Sequence, residues 1–133
     1  MIGRLHAEER GSGTVVAVGI IAVLVIMLGL VAVLGSVAAA SIRATAAADL
    51  AALAAADTAR GLNTGDPCTV AQQVAARHGV RLEACTVGGE SPTEATVSVA
   101  QEVDVVLLSD WLPGEMTAYR SSRAGPPAPL SDD

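Results

Sequence analysis

The longest uncharged segment of the chain constrains its fold more than any other feature. No side chain from Gly11 to Ile42 carries a charge, and residues 14–40 are apolar apart from a threonine, a serine and three glycines. A helix over residues 14–40 is about 40 Å long at about 1.5 Å per residue, whereas the hydrocarbon core of a bilayer is about 30 Å thick. The segment therefore predicts one membrane-spanning helix and a single-pass membrane protein.

Two other interpretations of this apolar segment are open. It could be the core helix of a soluble protein, although the remaining chain is short and polar for covering such a helix. It could also be a secretory signal that is cleaved beside the small residues Ala38, Ala39, Ala40 and Ser41. Signal peptides use only about 7–15 apolar residues, so this segment is long for one. A protein secreted after cleavage at Ala40 is the resulting alternative.

An alanine-rich stretch follows the apolar segment and extends the predicted helix. Alanine is the best helix former, and no helix breaker occurs before Gly61, so we expect one continuous helix over residues 14–60. Small residues recur at every fourth position, a spacing that allows close approach of a second helix. The predicted helix-packing residues are Ser36, Ala40, Ala44, Ala48 and Ala52. A thin apolar stripe of Ile42, Ala46, Leu50 and Leu53 favours the same conclusion. Alanine richness alone would also produce much of the small-residue pattern.

Residues 61–112 predict a small exported α+β domain. Asp66 and Pro67 are typical of a helix start, and Gly79 closes the short helix after His78. A strand over residues 80–87, a turn over 88–92 and a second strand should form a hairpin or small antiparallel sheet. The second strand has a face of valines and leucine at Val97, Val99, Val103, Val105 and Leu107. Residues 1–13 form an N-terminal cytoplasmic stub, and residues 113–133 read as a mobile C-terminal tail.

The two cysteines, Cys68 and Cys85, bear on both the stability and the orientation of the domain. The chain contains no Phe, one Trp and one Tyr, so its core is small and benefits from a covalent link. A disulfide forms in an oxidising compartment, which favours a cytoplasmic N-terminus and an extracytoplasmic C-terminal domain. The distribution of arginines barely favours either orientation. Two unpaired thiols, or a metal site that includes His78, are the alternatives.

Composition and motifs exclude several classes of function. The net charge of −6 argues against nucleic-acid binding, which requires a basic surface. No nucleophile, base, phosphate-binding loop or metal motif occurs at a meaningful spacing. We therefore expect a protein that is not an enzyme and has no cofactor, no metal and no small-molecule substrate.

The order of these parts resembles a known family. A polar stub that ends in Glu9-Arg10-Gly11-Ser12 precedes the apolar helix, and Ala-Ala-Asp-Leu-Ala-Ala-Leu-Ala follows it at residues 47–54. This arrangement is similar to the TadE/TadG-like pseudopilin-type proteins of tight-adherence (Flp-type) pili and related secretion systems, in the short form found in actinobacteria. The resemblance implies a pilin-like minor subunit anchored in the cell membrane, with other pilin-like or pilus-assembly proteins as its partners.

The resemblance also indicates where a leader peptide would be cleaved, at Gly11 and Ser12. Pilin-like proteins typically carry a glutamate five residues after the glycine, and this chain has Val16 there. The sequence therefore predicts a non-enzymatic subunit or assembly component of a Tad/Flp-type pilus or secretion system, which works by helix packing in the membrane and domain contacts outside. A membrane-anchored envelope adaptor or sensor is the alternative.

Overall fold

A computed structural model describes residues 9–103, 110, 114 and 116–126. The elements in chain order are helix α1 (Glu9–Ala59), helix α2 (Pro67–Arg77) and strands β1 (Arg81–Val87), β2 (Ala95–Val103) and β3 (Met116–Ala124). The chain divides into two compact units, Met1–Gly35 and Ser36–Asp133. This is the predicted α+β class, a long N-terminal helix followed by a short helix and a small antiparallel sheet.

The N-terminal unit contains most of the apolar part of α1, and its large side chains are exposed. Val15 is 73% exposed, Leu28 is 70% exposed and Val31 is 66% exposed. The candidate membrane span covers Gly11–Ala59, and none of its most apolar stretch is buried inside the protein. Such a surface is unfavourable in water, because each Å² of apolar area that stays exposed to water raises the free energy by about 25 cal/mol relative to burial. It suits the interior of a bilayer.

Helix α2 begins and ends where the sequence predicts. The Asp66 side chain caps it by accepting hydrogen bonds from the Thr69 amide at 2.9 Å and the Thr69 hydroxyl at 3.1 Å. Pro67 occupies the first turn, where its missing amide proton costs nothing. At the other end Gly79 has a φ of 70°, a left-handed conformation that favours glycine.

The strands form one antiparallel sheet in the order β1-β2-β3. Cys85 pairs with Val97, and Val97 pairs with Ser122, so these three residues lie side by side on one face. A bulge between Leu82 and Ala84 shifts the register of β1 against β2. The turn between these strands is closed by the Gly88 amide, which donates to the Glu94 carbonyl at 2.8 Å.

Strand β3 corrects the prediction of a mobile tail over residues 113–133 for the part at 116–124, and residues 127–133 lie outside the described residues. Met116–Ala124 pairs along all of β2, from Val103 to Ala95. The sequence of β3 contains Arg120, Ser121, Ser122 and Arg123, and it has none of the apolar alternation that identifies a half-buried strand. Its strand conformation depends on backbone hydrogen bonds to β2, which local sequence does not encode. Val105 and Leu107, which were predicted to extend β2, lie outside the described residues.

The core of the C-terminal unit is built mainly from alanines. The buried alanines of α1 form one apolar cluster with Ala71 and Ala75 of α2 and with Val97 and Val99 of β2. Val97 and Val99 are the largest fully buried side chains of the described residues. The buried alanines of α1 in this cluster are Ala44, Ala47, Ala48, Ala51, Ala52, Ala55 and Ala56. The helix can approach α2 and the sheet closely because each of these side chains is a single methyl group.

Candidate helix-packing surface and C-terminal domain

The disulfide is the first predicted site, and the structure confirms it. Cys68 in the first turn of α2 is bonded to Cys85 in the middle of β1, with 5.8 Å between the two Cα atoms. The bond closes a loop over a sequence separation of 17, which stabilises a domain by about 3 kcal/mol in the chain-entropy model. Both sulfur atoms are therefore used covalently, and the alternatives of free thiols and of a metal site with His78 are wrong.

The predicted helix-packing stripe is largely occupied by the chain's own domain. Ala44, Ala48 and Ala52 are at most 1% exposed and belong to the alanine-rich core. Their small side chains do allow close packing, as the sequence suggested, but α2 and the sheet of the same chain take the place of a neighbouring helix. An intermolecular contact at these three residues stays a prediction. Ala40 is 8% exposed and Ser36 is half-buried.

A different face of α1 is exposed in the C-terminal unit. Ile42 is 70% exposed, Leu50 is 45% exposed and Leu53 is 51% exposed, and Ala46 is exposed between them. These four residues, the outer stripe, recur at intervals of three and four and so lie on one side of the helix. The sequence grouped them with the alanines as one packing signal. The structure separates the two sets by burying the alanines and leaving the outer stripe on the surface.

The face of the sheet that carries Arg81 is polar. The Arg81 guanidinium is 2.7 Å from a Glu83 carboxylate oxygen and 3.7 Å from one of Glu102. The hydrogen bond to Glu83 and the charge of that carboxylate raise the pKa of Arg81 above its ordinary value. Ser98 donates to Ser121 across β2 and β3 at 3.1 Å. Within the ranges that the structure describes, no three metal-ligating side chains gather here or elsewhere.

Sequence reasoning missed one ion pair with a buried carboxylate at the end of the sheet. Glu94 is 7% exposed, and its carboxylate lies 3.2 Å from Nε of Arg123. Two glycines make room for it: a Cβ added at Gly89 would lie 2.7 Å from Glu94 Oε1, and one at Gly125 would lie 3.2 Å from its Cγ. Nothing in the sequence marks Glu94, because its partner is brought close only by the pairing of β3 with β2.

The predicted leader-cleavage residues, Gly11 and Ser12, lie inside α1 and are exposed. His78, which was considered as a metal ligand, is the exposed C-cap of α2. Cleavage at Gly11 remains a prediction.

Comparison with known proteins supports the resemblance noted above. Residues 11–58 match the Tad family model, described as "Flp pilus-assembly TadE/G-like". The match covers the apolar span and the alanine-rich part of α1, so the predicted likeness to TadE-type proteins is confirmed over this segment. No curated protein and no solved structure matches the chain. The match and the apolar helix together indicate a membrane-anchored protein with a pilus-related role.

Proposed function

We propose that this protein is a non-enzymatic, pilin-like minor subunit or assembly component of a Tad/Flp-type pilus or a related secretion system. The observation that carries the proposal is the family match over residues 11–58, which coincides with the apolar span and the helix that organises the domain. In this role α1 anchors the subunit, and the domain beyond residue 60 makes contacts outside the membrane.

The disulfide supports an orientation with the N-terminus in the cytoplasm and the domain on the opposite side. A bond between Cys68 and Cys85 requires an oxidising compartment, and the cytosol keeps most thiols reduced. The stabilisation that it contributes is large relative to a core of alanines and valines. We therefore place the domain in the extracytoplasmic space.

The outer stripe is the surface by which α1 would contact another pilus component. Ile42, Leu50 and Leu53 expose apolar area on a helix whose other face is already covered by the chain's own domain. Helix packing between subunits would bury this area, since apolar side chains of 45–70% exposure gain free energy when water is removed from them. The proposed intermolecular contact of α1 therefore lies on the outer stripe, and Ala44, Ala48 and Ala52 pack within their own chain.

Photo-cross-linking in cells tests this function. A photoreactive amino acid at Leu50 or Leu53 should cross-link the protein to another component of the pilus system. The matched control is Ala48, two residues from Leu50, five residues from Leu53 and 1% exposed, where the same probe should give no intermolecular product. Intermolecular products from neither leucine, together with purification only as a lone monomer, would contradict the proposal. Products limited to proteins outside the pilus system would favour the envelope adaptor or sensor.

A further inference from the structure

The fold brings a distant arginine to the end of the apolar segment. Arg43 is the first charged residue after the uncharged run from Gly11 to Ile42, and it is exposed. Arg120 lies on β3, and its Nη2 donates a hydrogen bond to the Ser41 hydroxyl on α1. Ser41 and Arg43 are separated by about 3 Å along the helix axis. Two guanidinium groups, those of Arg43 and Arg120, therefore lie near the C-terminal end of the uncharged segment of α1.

Neither of these cations is neutralised by the described part of the chain. Arg81 and Arg123 form ion pairs with glutamates. Over residues 11–103 and 116–126, no carboxylate lies within ion-pair distance of Arg43 or Arg120. The Arg120 guanidinium is held instead by two neutral acceptors, the Ser41 hydroxyl and the Tyr119 carbonyl, the latter at 2.7 Å. These acceptors orient the guanidinium, and no described residue compensates its positive charge, in a chain whose net charge is −6.

An unpaired guanidinium next to an apolar helix face has a natural ligand in the phosphate of a lipid headgroup. Arginine extends along apolar surface and places its planar donors at the membrane interface, where they match the oxygens of a phosphate. Ile42, 70% exposed, supplies that apolar surface between Ser41 and Arg43. We infer that Arg43 and Arg120 bind the phosphates of anionic phospholipids where α1 leaves the bilayer.

The two arginines contact different lipids. Ser41 and Arg43 differ by two residues, which is a rotation of about 200° around an α-helix. The Arg120 guanidinium on the Ser41 side and the Arg43 guanidinium therefore flank α1 on opposite sides. Through Arg43 and Arg120, both α1 and β3 then contact the membrane surface. It depends on the insertion of α1 into a membrane and is independent of the pilus role.

Lipid binding by the full-length protein in detergent micelles tests the inference. Bound phosphatidylglycerol is counted by native mass spectrometry during a titration. Arg120→Gln and Arg43→Gln should each weaken the binding about fivefold, because a basic residue near an anionic lipid surface contributes about 1 kcal/mol. Arg120→Lys keeps the charge and should retain most of the binding. Ser41→Ala should give a smaller loss than Arg120→Gln, because it frees the guanidinium without removing it.

The control variant is Arg77→Gln. Arg77 is also exposed and forms no ion pair within the described residues, but it lies in the last turn of α2, and we expect unchanged lipid binding. In each variant, Cys68 and Cys85 should not react with a thiol reagent before reduction, which verifies that the disulfide of the folded domain has formed. Phosphatidylcholine should bind more weakly than phosphatidylglycerol, and inorganic phosphate should not displace the lipid.

Three results would overturn the inference: wild-type binding in both Arg43→Gln and Arg120→Gln, an equal loss in Arg77→Gln, or displacement of the lipid by inorganic phosphate. Missing cross-links to pilus components with normal lipid binding would contradict the proposed function alone.

Discussion

The two halves of α1 use the same helical backbone in opposite ways. In the N-terminal half the side chains are large and exposed, as at Val15 and Leu28, which are 73% and 70% exposed. In the C-terminal half the residues that face the domain are alanines, and Ala51 and Ala55 are completely buried. Large apolar side chains suit a lipid environment that surrounds the helix on all sides. Methyl side chains suit a helix that must lie against another protein surface.

This difference explains why the C-terminal domain needs a covalent link. Each buried alanine removes little apolar area from water, and the largest fully buried side chains among the described residues are two valines. A core of this size contributes limited free energy to folding. The disulfide between Cys68 and Cys85 compensates by restricting the unfolded chain.

The strongest expected effect is on membrane insertion. Ile26→Arg places a charge near the middle of the apolar segment and should make insertion less favourable by about 2.5–3.5 kcal/mol. The measurement is the fraction of protein that resists alkaline extraction of membranes. Leu50→Arg is the matched control, because Leu50 lies on the outer stripe beyond the apolar segment, and it should remain membrane-bound. Equal extraction of both variants would contradict the claim that the N-terminal half of α1 spans the membrane and that Leu50 lies beyond it.

Loss of the disulfide should have a comparable effect that is confined to the domain. The double variant Cys68→Ser, Cys85→Ser should lower the free energy of unfolding of the domain by about 3 kcal/mol. Urea unfolding, followed by amide exchange in β2, measures it. Reductant should destabilise the wild-type protein to the same degree and leave the double variant unchanged. If reductant does not alter the exchange rates of β2 in the wild-type protein, the disulfide has no stabilising role.

Overpacking the alanine core should lower the free energy of unfolding by less than loss of the disulfide does. Ala51→Leu adds three carbons at a completely buried position and should lower the free energy of unfolding by about 1–3 kcal/mol. Ala46→Leu makes the same change on the exposed outer stripe and should have little effect. The same urea experiment measures both variants. A comparable loss in the two would mean that the alanine face of α1 does not form the core of the domain.

The smallest effect concerns the start of α2 and depends on pH. The hydrogen bonds from the Thr69 amide and hydroxyl lower the pKa of Asp66 below its ordinary value. A depressed carboxylate pKa stabilises the folded state above the ordinary pKa, and this contribution is lost as the pH falls through the lowered value. Asp66→Ala should therefore destabilise α2 at neutral pH and flatten the acid branch of the stability profile. An acid branch identical to that of the wild type would contradict this role.

The sequence allowed the elements with strong local signals to be predicted. The apolar segment, the Asp66 cap, the Gly79 stop and the disulfide all depend on residue types within a few positions of each other or on a cysteine count. Strand β3 had no such signal, because its polar residues become a strand only by pairing with β2.

The partner of the alanine stripe could not be predicted for a related reason. A repeat of small residues indicates that something packs closely against the helix, and it does not distinguish a neighbouring chain from the helix's own domain. The same limit applies to Glu94 and Arg123, which are 29 positions apart in the sequence and meet at 3.2 Å. Contacts of this kind are a property of the assembled sheet.

Cysteine accessibility along α1 tests the contrast between its halves most directly. Single cysteines at Ile26, Leu50 and Ala51 are introduced into the full-length protein in lipid nanodiscs, with the native disulfide intact, and are treated with a water-soluble maleimide. We expect fast labelling at Leu50, labelling at Ala51 only after the domain is unfolded, and no labelling at Ile26 until the lipid is removed. Labelling of the folded protein at Ala51 as fast as at Leu50 would contradict the burial of α1 in its own domain.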